Sequence, residues 1–248
     1  MLKKVILNTM FGKPFPDTWI NGFIENVQPL KNRGWYWKIY TPNKIESKGN
    51  VEFIPMNIDD FNELVDKKTG VFPHNYIDQK TGCPKKLMTD YAPALAELFE
   101  EQISDFDFWG HCNWDVVYGR LDKWLPDKLL KTLDIFGNDP EKINGVFSIY
   151  RNKPFINTLY KRHPGWRGVF VDLDTRFAFE EDMFSPIVNK ANNKGELVFK
   201  SAWWLENDRM PWHKPHPILK ITPDGDLLNK NGEEMMLFHF SDTKKWPI

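Results

Sequence analysis

The sequence predicts an α/β fold: a mixed, mostly parallel central sheet flanked by helices, completed by a C-terminal antiparallel hairpin. Three observations predict it. Through the first half, short apolar runs alternate with segments of helical spacing. The second half is less regular and carries turn signals such as Pro223-Asp224-Gly225-Asp226. No internal repeat, low-complexity run or linker divides the 248 residues, so a single domain spanning 1–248 is expected.

Residues 4–10 read as a buried strand centred on Val5-Ile6-Leu7, ended by the loop Phe11-Gly12-Lys13-Pro14-Phe15-Pro16. Asp17 is placed to cap a helix with Trp19, Ile20, Phe23, Ile24 and Val27 on one face. Trp35–Tyr40 and Val51–Met56 read as the second and third strands. Asn57 and Asp60 form a capping pair for a helix carrying Ile58, Phe61, Leu64 and Val65, which Gly70 ends. A polar loop covers 71–85. Lys86–Gln102 returns to helical spacing, with a start near Asp90 because Pro93 fits only in a first turn. Phe106–Trp109 and Gly145–Arg151 read as strands, with Asn152 as the cap and Pro154 at the start of a helix ending near Arg162. Trp166–Val171 and Glu196–Trp203 are further strand candidates. Ile218–Ile221 and Met235–Phe240 supply the terminal hairpin.

Composition narrows the function. Lys and Arg number 33 against 34 Asp and Glu, a net charge of −1, which lacks the basic excess of a dedicated nucleic-acid binder. Apolar residues at 41% and charged residues at 27% are those of a folded globule, which excludes disorder as the working state. The aromatic load of 19 Phe, 11 Trp and 7 Tyr suits both a large core and stacking on flat ligands. Cys83 and Cys112 can make neither a disulfide framework nor a four-Cys zinc site, which points to a reducing compartment. With no long apolar segment and no leader-like start, a cytoplasmic location is expected.

The segment richest in chemistry is Phe108-Trp109-Gly110-His111-Cys112-Asn113-Trp114-Asp115. An aromatic strand runs into a polar turn, and ligands of open α/β sheets bind beyond the carboxyl ends of strands. A carboxylate there can hold a hard divalent cation that clamps a diphosphate. The plain alternative makes Asn113 and Asp115 turn formers.

That segment resembles the Asp-any-Asp turn of the metal-dependent GT-A-fold glycosyltransferases, and most closely small microbial and viral members with a Trp-Gly-any-Cys-Asp-any-Asp core. Asn113 stands where the first Asp is expected. Three further segments match in the same order: Lys86-Leu87-Met88-Thr89-Asp90, Gly145-Val146-Phe147-Ser148-Ile149-Tyr150-Arg151-Asn152, and His239-Phe240 followed by Lys244. Val146 replaces a family His. The resemblance implies a single GT-A-like domain, 1–120 being the nucleotide-binding half and 121–248 the acceptor-side half. It implies Asp115 and His239 as ligands of a divalent metal, Mn2+ or else Mg2+, a set that imidazole and carboxylate suit. It implies donor contacts from Thr9, Phe11, Asn43, Lys86, Asp90, Asn113, Trp114 and Lys244. Phe177-Ala178-Phe179-Glu180-Glu181-Asp182 resembles a Phe-Asp-Glu element, which makes Glu180 and Glu181 the candidate catalytic bases. An acidic first turn complementing a helix dipole explains the same residues equally well.

The function so implied is transfer of a hexosyl or deoxyhexosyl unit from a nucleotide-diphosphate donor, a UDP-sugar, to a hydroxyl of a glycan or glycoprotein, as in polysaccharide biosynthesis. Two other readings stay open: a non-catalytic carbohydrate-binding protein on the same fold, and a metal-dependent hydrolase. Trp203, Trp204, Trp212 and His213 are core residues first and acceptor-stacking residues second.

Overall fold

A computed structural model describes residues 1–13, 15–137, 139, 142–201 and 220–239. Seven strands form the central sheet in the order β3-β2-β1-β4-β7-β6-β8. They are β1 (Lys4–Thr9), β2 (Trp35–Thr41), β3 (Val51–Pro55), β4 (Phe108–Cys112), β6 (Ile135–Gly137), β7 (Phe147–Arg151) and β8 (Phe199–Ser201). Pairing is parallel except where β7 meets β4 and β6, so β7 alone runs opposite. The predicted α/β class, with its mixed and mostly parallel sheet, is the fold this chain adopts.

The alternation of side chains along the strands builds two cores. Val5, Leu7, Tyr40, Trp109 and Tyr150 point to one face, under the helix Ile58–Thr69. Ile6, Trp35, Trp37, Ile39, Phe108 and Ile149 point to the other, under the helix Asp17–Val27. Strands buried on both faces read as near-continuous apolar runs, which is why β1 was plain in the sequence. The capping box at Asn57 forms as expected: its side chain accepts from the Asp59 and Asp60 amides, and Asp60 accepts from the Asn57 amide. Asp17 does not cap its helix but begins it, after Pro16.

Three expectations need correction. Trp166–Val171 is a helix, not a strand; Trp166, Val169 and Phe170 are its buried residues, and that 1, 4, 5 spacing is helical. Lys86–Gln102 is not one helix but a 3-10 turn, Met88–Ala94, followed by two single turns, Leu95–Leu98 and Glu100–Ile103. Pro93 sits inside the first and removes a helical donor. Asn152 does not cap a helix; it donates to the Ile103 and Phe106 carbonyls, tying the end of β7 to the start of β4.

The C-terminal region forms an antiparallel ribbon of β9 (Lys220–Ile221), β10 (Leu227–Leu228) and β11 (Glu234–Met235), with β10 in the middle. The chain then crosses over. Strand β12 (Leu237–His239) pairs antiparallel with β5 (Val116–Tyr118), the strand that follows the polar turn after β4. No helix among the described residues is long and apolar enough to cross a membrane.

Candidate active site

In the sheet order, β1 and β4 are neighbours, yet their connections leave in opposite directions, β1 to β2 and β4 toward β7. This is the switch point at which a crevice opens beyond the strand ends. Thr9 ends β1 there, and Asn113-Trp114-Asp115 follows β4. The Trp114 indole N–H donates to the Thr9 carbonyl at 3.1 Å, closing the two strand ends against each other. Trp114 also packs on Phe15 and Phe23, with ring centroids 5.3 and 6.0 Å away.

The β5–β12 pairing sets Val116 opposite His239 and so brings a residue from the end of the chain to the turn. His239 Nε2 lies 3.1 Å from Asp115 Oδ1 and 3.3 Å from Asn113 Nδ2. The two proposed metal ligands, 124 positions apart, thus stand side by side. Their fit to a metal can be tested on that separation. At 3.1 Å they form a hydrogen bond and are close enough to share one small divalent cation. The donor set is one carboxylate and one imidazole, and no group of three or more His, Cys, Asp or Glu converges among the described residues. A cation held by these two side chains would take its remaining ligands from water or from oxygens of a bound molecule.

Glu180 approaches Asn113 of this turn at Gly145. A Cβ placed on Gly145 would lie 3.1 Å from both Asn113 Oδ1 and Glu180 Oε1, so both oxygens face the space that this glycine leaves. Glu180 is 4% exposed. Burial, then the neighbouring charges of Glu181 and Asp90, push its carboxyl up to about 8. It belongs to a π-helical turn, Phe179–Phe184, a form that recurs at functional sites. Ala178 just before it has φ +47°, a left-handed conformation that costs a non-glycine residue about 1 kcal/mol or more. Glu181 is half-buried and Asp182 is exposed, paired with Lys142 at 3.2 Å. Of the acidic run, only Glu180 is buried beside the turn.

Other polar atoms close to the sheet are also uncompensated. Glu180 Oε2, the Tyr150 hydroxyl and both ring nitrogens of His111 are buried without a hydrogen bond among the described residues. The Ser148 hydroxyl donates to the Asn144 carbonyl at 3.1 Å and stands beside Tyr150. Burial drops His111 to about 4, so it is neutral.

The remaining donor-site candidates divide. Phe11 is 7% exposed and packs in the core against Phe61, with centroids 5.5 Å apart. Asn43 is half-buried, its side chain and amide both donating to Thr41 Oγ1. Lys86 and Asp90 are fully buried and bonded to each other at 2.7 Å. Lys244, Lys245, Trp203, Trp204, Trp212 and His213 lie outside the described residues. Within its sequence segment Gly145 stands out by no chemistry of its own. It lies two residues before β7, where a close approach needs a glycine. We expect Gly145→Ala to crowd Asn113 and Glu180 and to lower turnover on the order of tenfold or more. Its melting temperature should stay close to wild type, which a thermal scan beside the assay will show.

A search of curated proteins finds no match. Among solved structures, the chain is similar to the glycosyltransferase GlyE of Streptococcus pneumoniae TIGR4, at 11% identity and a TM-score of 0.39, over 81% of this chain and 45% of that one. It thus spans less than half the length of GlyE. It is also similar to a Drosophila β-1,4-galactosyltransferase 7 mutant solved with manganese, UDP-Gal and xylobiose, at 13% identity and a TM-score of 0.39, over 86% and 68% of the two chains. A third likeness is to the galactosyltransferase LgtC with donor and acceptor sugar analogs, at 14% identity and a TM-score of 0.42, over 80% and 73%. The sequence model of a family of unknown function, DUF6625, matches residues 7–208, most of the chain, and the protein belongs to that family.

Proposed function

We propose that this protein is a metal-dependent glycosyltransferase that moves a hexosyl or deoxyhexosyl unit from a UDP-sugar to a glycan hydroxyl. One observation carries the reading. At the mouth of the β1/β4 switch point, the Asp115 carboxylate and the His239 imidazole stand 3.1 Å apart, and the buried Glu180 carboxyl faces Asn113 of the same turn across Gly145. The first pair suits a cation that holds a diphosphate; the second element suits a general base.

Asp115 and His239 would hold the metal, Mn2+ or Mg2+, which when bound withdraws negative charge from the leaving diphosphate. The chain's own residues do the rest. Trp114 locks the turn to the end of β1, so that Asp115 keeps its direction. Asn113, neutral, offers an amide to a ribose or phosphate oxygen without adding charge. In an inverting transfer, Glu180 takes the proton of the acceptor hydroxyl as its oxygen attacks the anomeric carbon. The bond from that carbon to the phosphate oxygen breaks, and UDP leaves. Burial of Glu180 gives it a basicity well above an ordinary carboxylate, which raises its driving force for proton uptake.

The test is UDP release from a panel of UDP-hexoses in Mn2+, with and without a set of oligosaccharide acceptors. Release that depends on an acceptor supports transfer. Release at the same rate without any acceptor would make the protein a hydrolase, and glycan binding with no release would make it a lectin on this fold.

A further inference from the structure

We propose that Lys86 and Asp90 are positioning residues that set the place of Glu180, rather than ligands of the donor. The inference rests on the reading of Glu180 as the base. The two side chains are 1% and 0% exposed and meet at 2.7 Å. The Lys86 ammonium also donates to the Thr175 carbonyl at 2.9 Å and lies 4.4 Å from the centroid of the Phe177 ring. Asp90 accepts from the Phe179 amide at 3.1 Å and from the Phe177 amide at 3.4 Å. The pair therefore grips three residues of the segment that immediately precedes Glu180.

The grip is anchored. The Lys86 amide donates to Asn75 Oδ1 at 2.9 Å, and Asn75 Nδ2 donates back to the Lys86 carbonyl at 3.2 Å. Asn62, on the helix packed against the sheet, donates to the Asn75 carbonyl at 2.7 Å. A buried chain of polar contacts thus runs from that helix through Asn75, Lys86 and Asp90 to the backbone of 175–179. It explains how Ala178 is held at positive φ, since the Asp90 carboxylate fixes the amides on both sides of it. Buried ion pairs add little net stability but fix geometry, and removing one partner alone is costly.

Asp90→Asn keeps the shape and one acceptor oxygen, and it is the first variant to make. Lys86→Met with Asp90→Leu removes both charges together and guards against loss of fold from an unpaired ion. Four measurements are needed: kcat at saturating donor, the Kd of a UDP-sugar in Mn2+, the pH profile of kcat, and amide exchange at Phe177 and Phe179. We expect kcat to fall on the order of 10–100-fold with Kd nearly unchanged, and both amides to exchange faster. The groups around Glu180 are Glu181 and Asp90, which raise it, Arg176, which lowers it, and the neutral Tyr150. Loss of the Asp90 charge should therefore shift the rising limb of kcat to lower pH in Asp90→Asn.

A rise in donor Kd at unchanged kcat would overturn the proposal in favour of donor contact. Unchanged kcat, pH limb and exchange would overturn it as well. Wild-type protein inactive on every donor would remove the reading on which it rests, and amide exchange would then report on the clasp separately from the base.

Discussion

Asp115→Ala is expected to lower donor turnover by at least on the order of a thousandfold, because electrostatic help to a leaving group is worth several kcal/mol and each 1.4 kcal/mol is tenfold. The fold should survive. The Asp115 side chain is 35% exposed and its contact to His239 is a single hydrogen bond at the rim, worth about 1 kcal/mol. A circular dichroism melt beside the turnover assay separates the two effects. Turnover near wild type in this variant, with or without added Mn2+, would remove Asp115 from the chemistry. His239→Ala should act in the same direction, since a cation held by Asp115 and His239 would lose one of its two protein ligands.

The second large effect concerns Glu180. A general base works only when ionised, so kcat should rise as pH climbs through about 8 and level off above it. Glu180→Gln should abolish that limb and lower kcat by about 10²–10⁴-fold. Stability should move the other way. The folded carboxyl sits at about 8 against an unfolded value of 4.5, so the native state binds a proton that the unfolded state gives up. Between those two pH values the wild type loses stability as pH rises, and above about 8 the loss is complete. Glu180→Gln is free of this cost and should melt higher than wild type at pH 8, by roughly 2–4 °C for each kcal/mol recovered in a chain of this size. A variant that is both less active and more stable is the signature of a strained functional group. Equal melting temperatures across pH 5 to 9 would show that burial does not perturb this carboxyl.

Legibility in the sequence followed the range of the interactions. Local rules placed β1, β2 and β3, the capping box at Asn57 and the turn after β4, because each is fixed by residues within a few positions. The Trp166–Val171 segment misled because Val and Phe favour strands and six residues are too few to show a period. The break in Lys86–Gln102 came from Pro93 and from tertiary contacts that helical spacing does not report. His239 beside Asp115 depends on β12 crossing to β5, and no local pattern indicates which strands pair across more than a hundred residues. The resemblance supplied that pair, and the sheet register brought it together. Glu180 is the reverse case. Three consecutive acidic residues look like a solvated turn, and only the packing of the 172–179 segment buries the first of them. Lys86 and Asp90 were visible as a spaced pair, yet the backbone they grip is almost ninety residues away.

Titration of UDP into the protein by calorimetry, with and without Mn2+, tests the central claim most directly. Binding should require Mn2+, be absent in Asp115→Ala and be weakened in His239→Ala. Binding of equal strength without the metal, or none with UDP and none with GDP in Mn2+, would contradict the assignment of this turn as a nucleotide-diphosphate site.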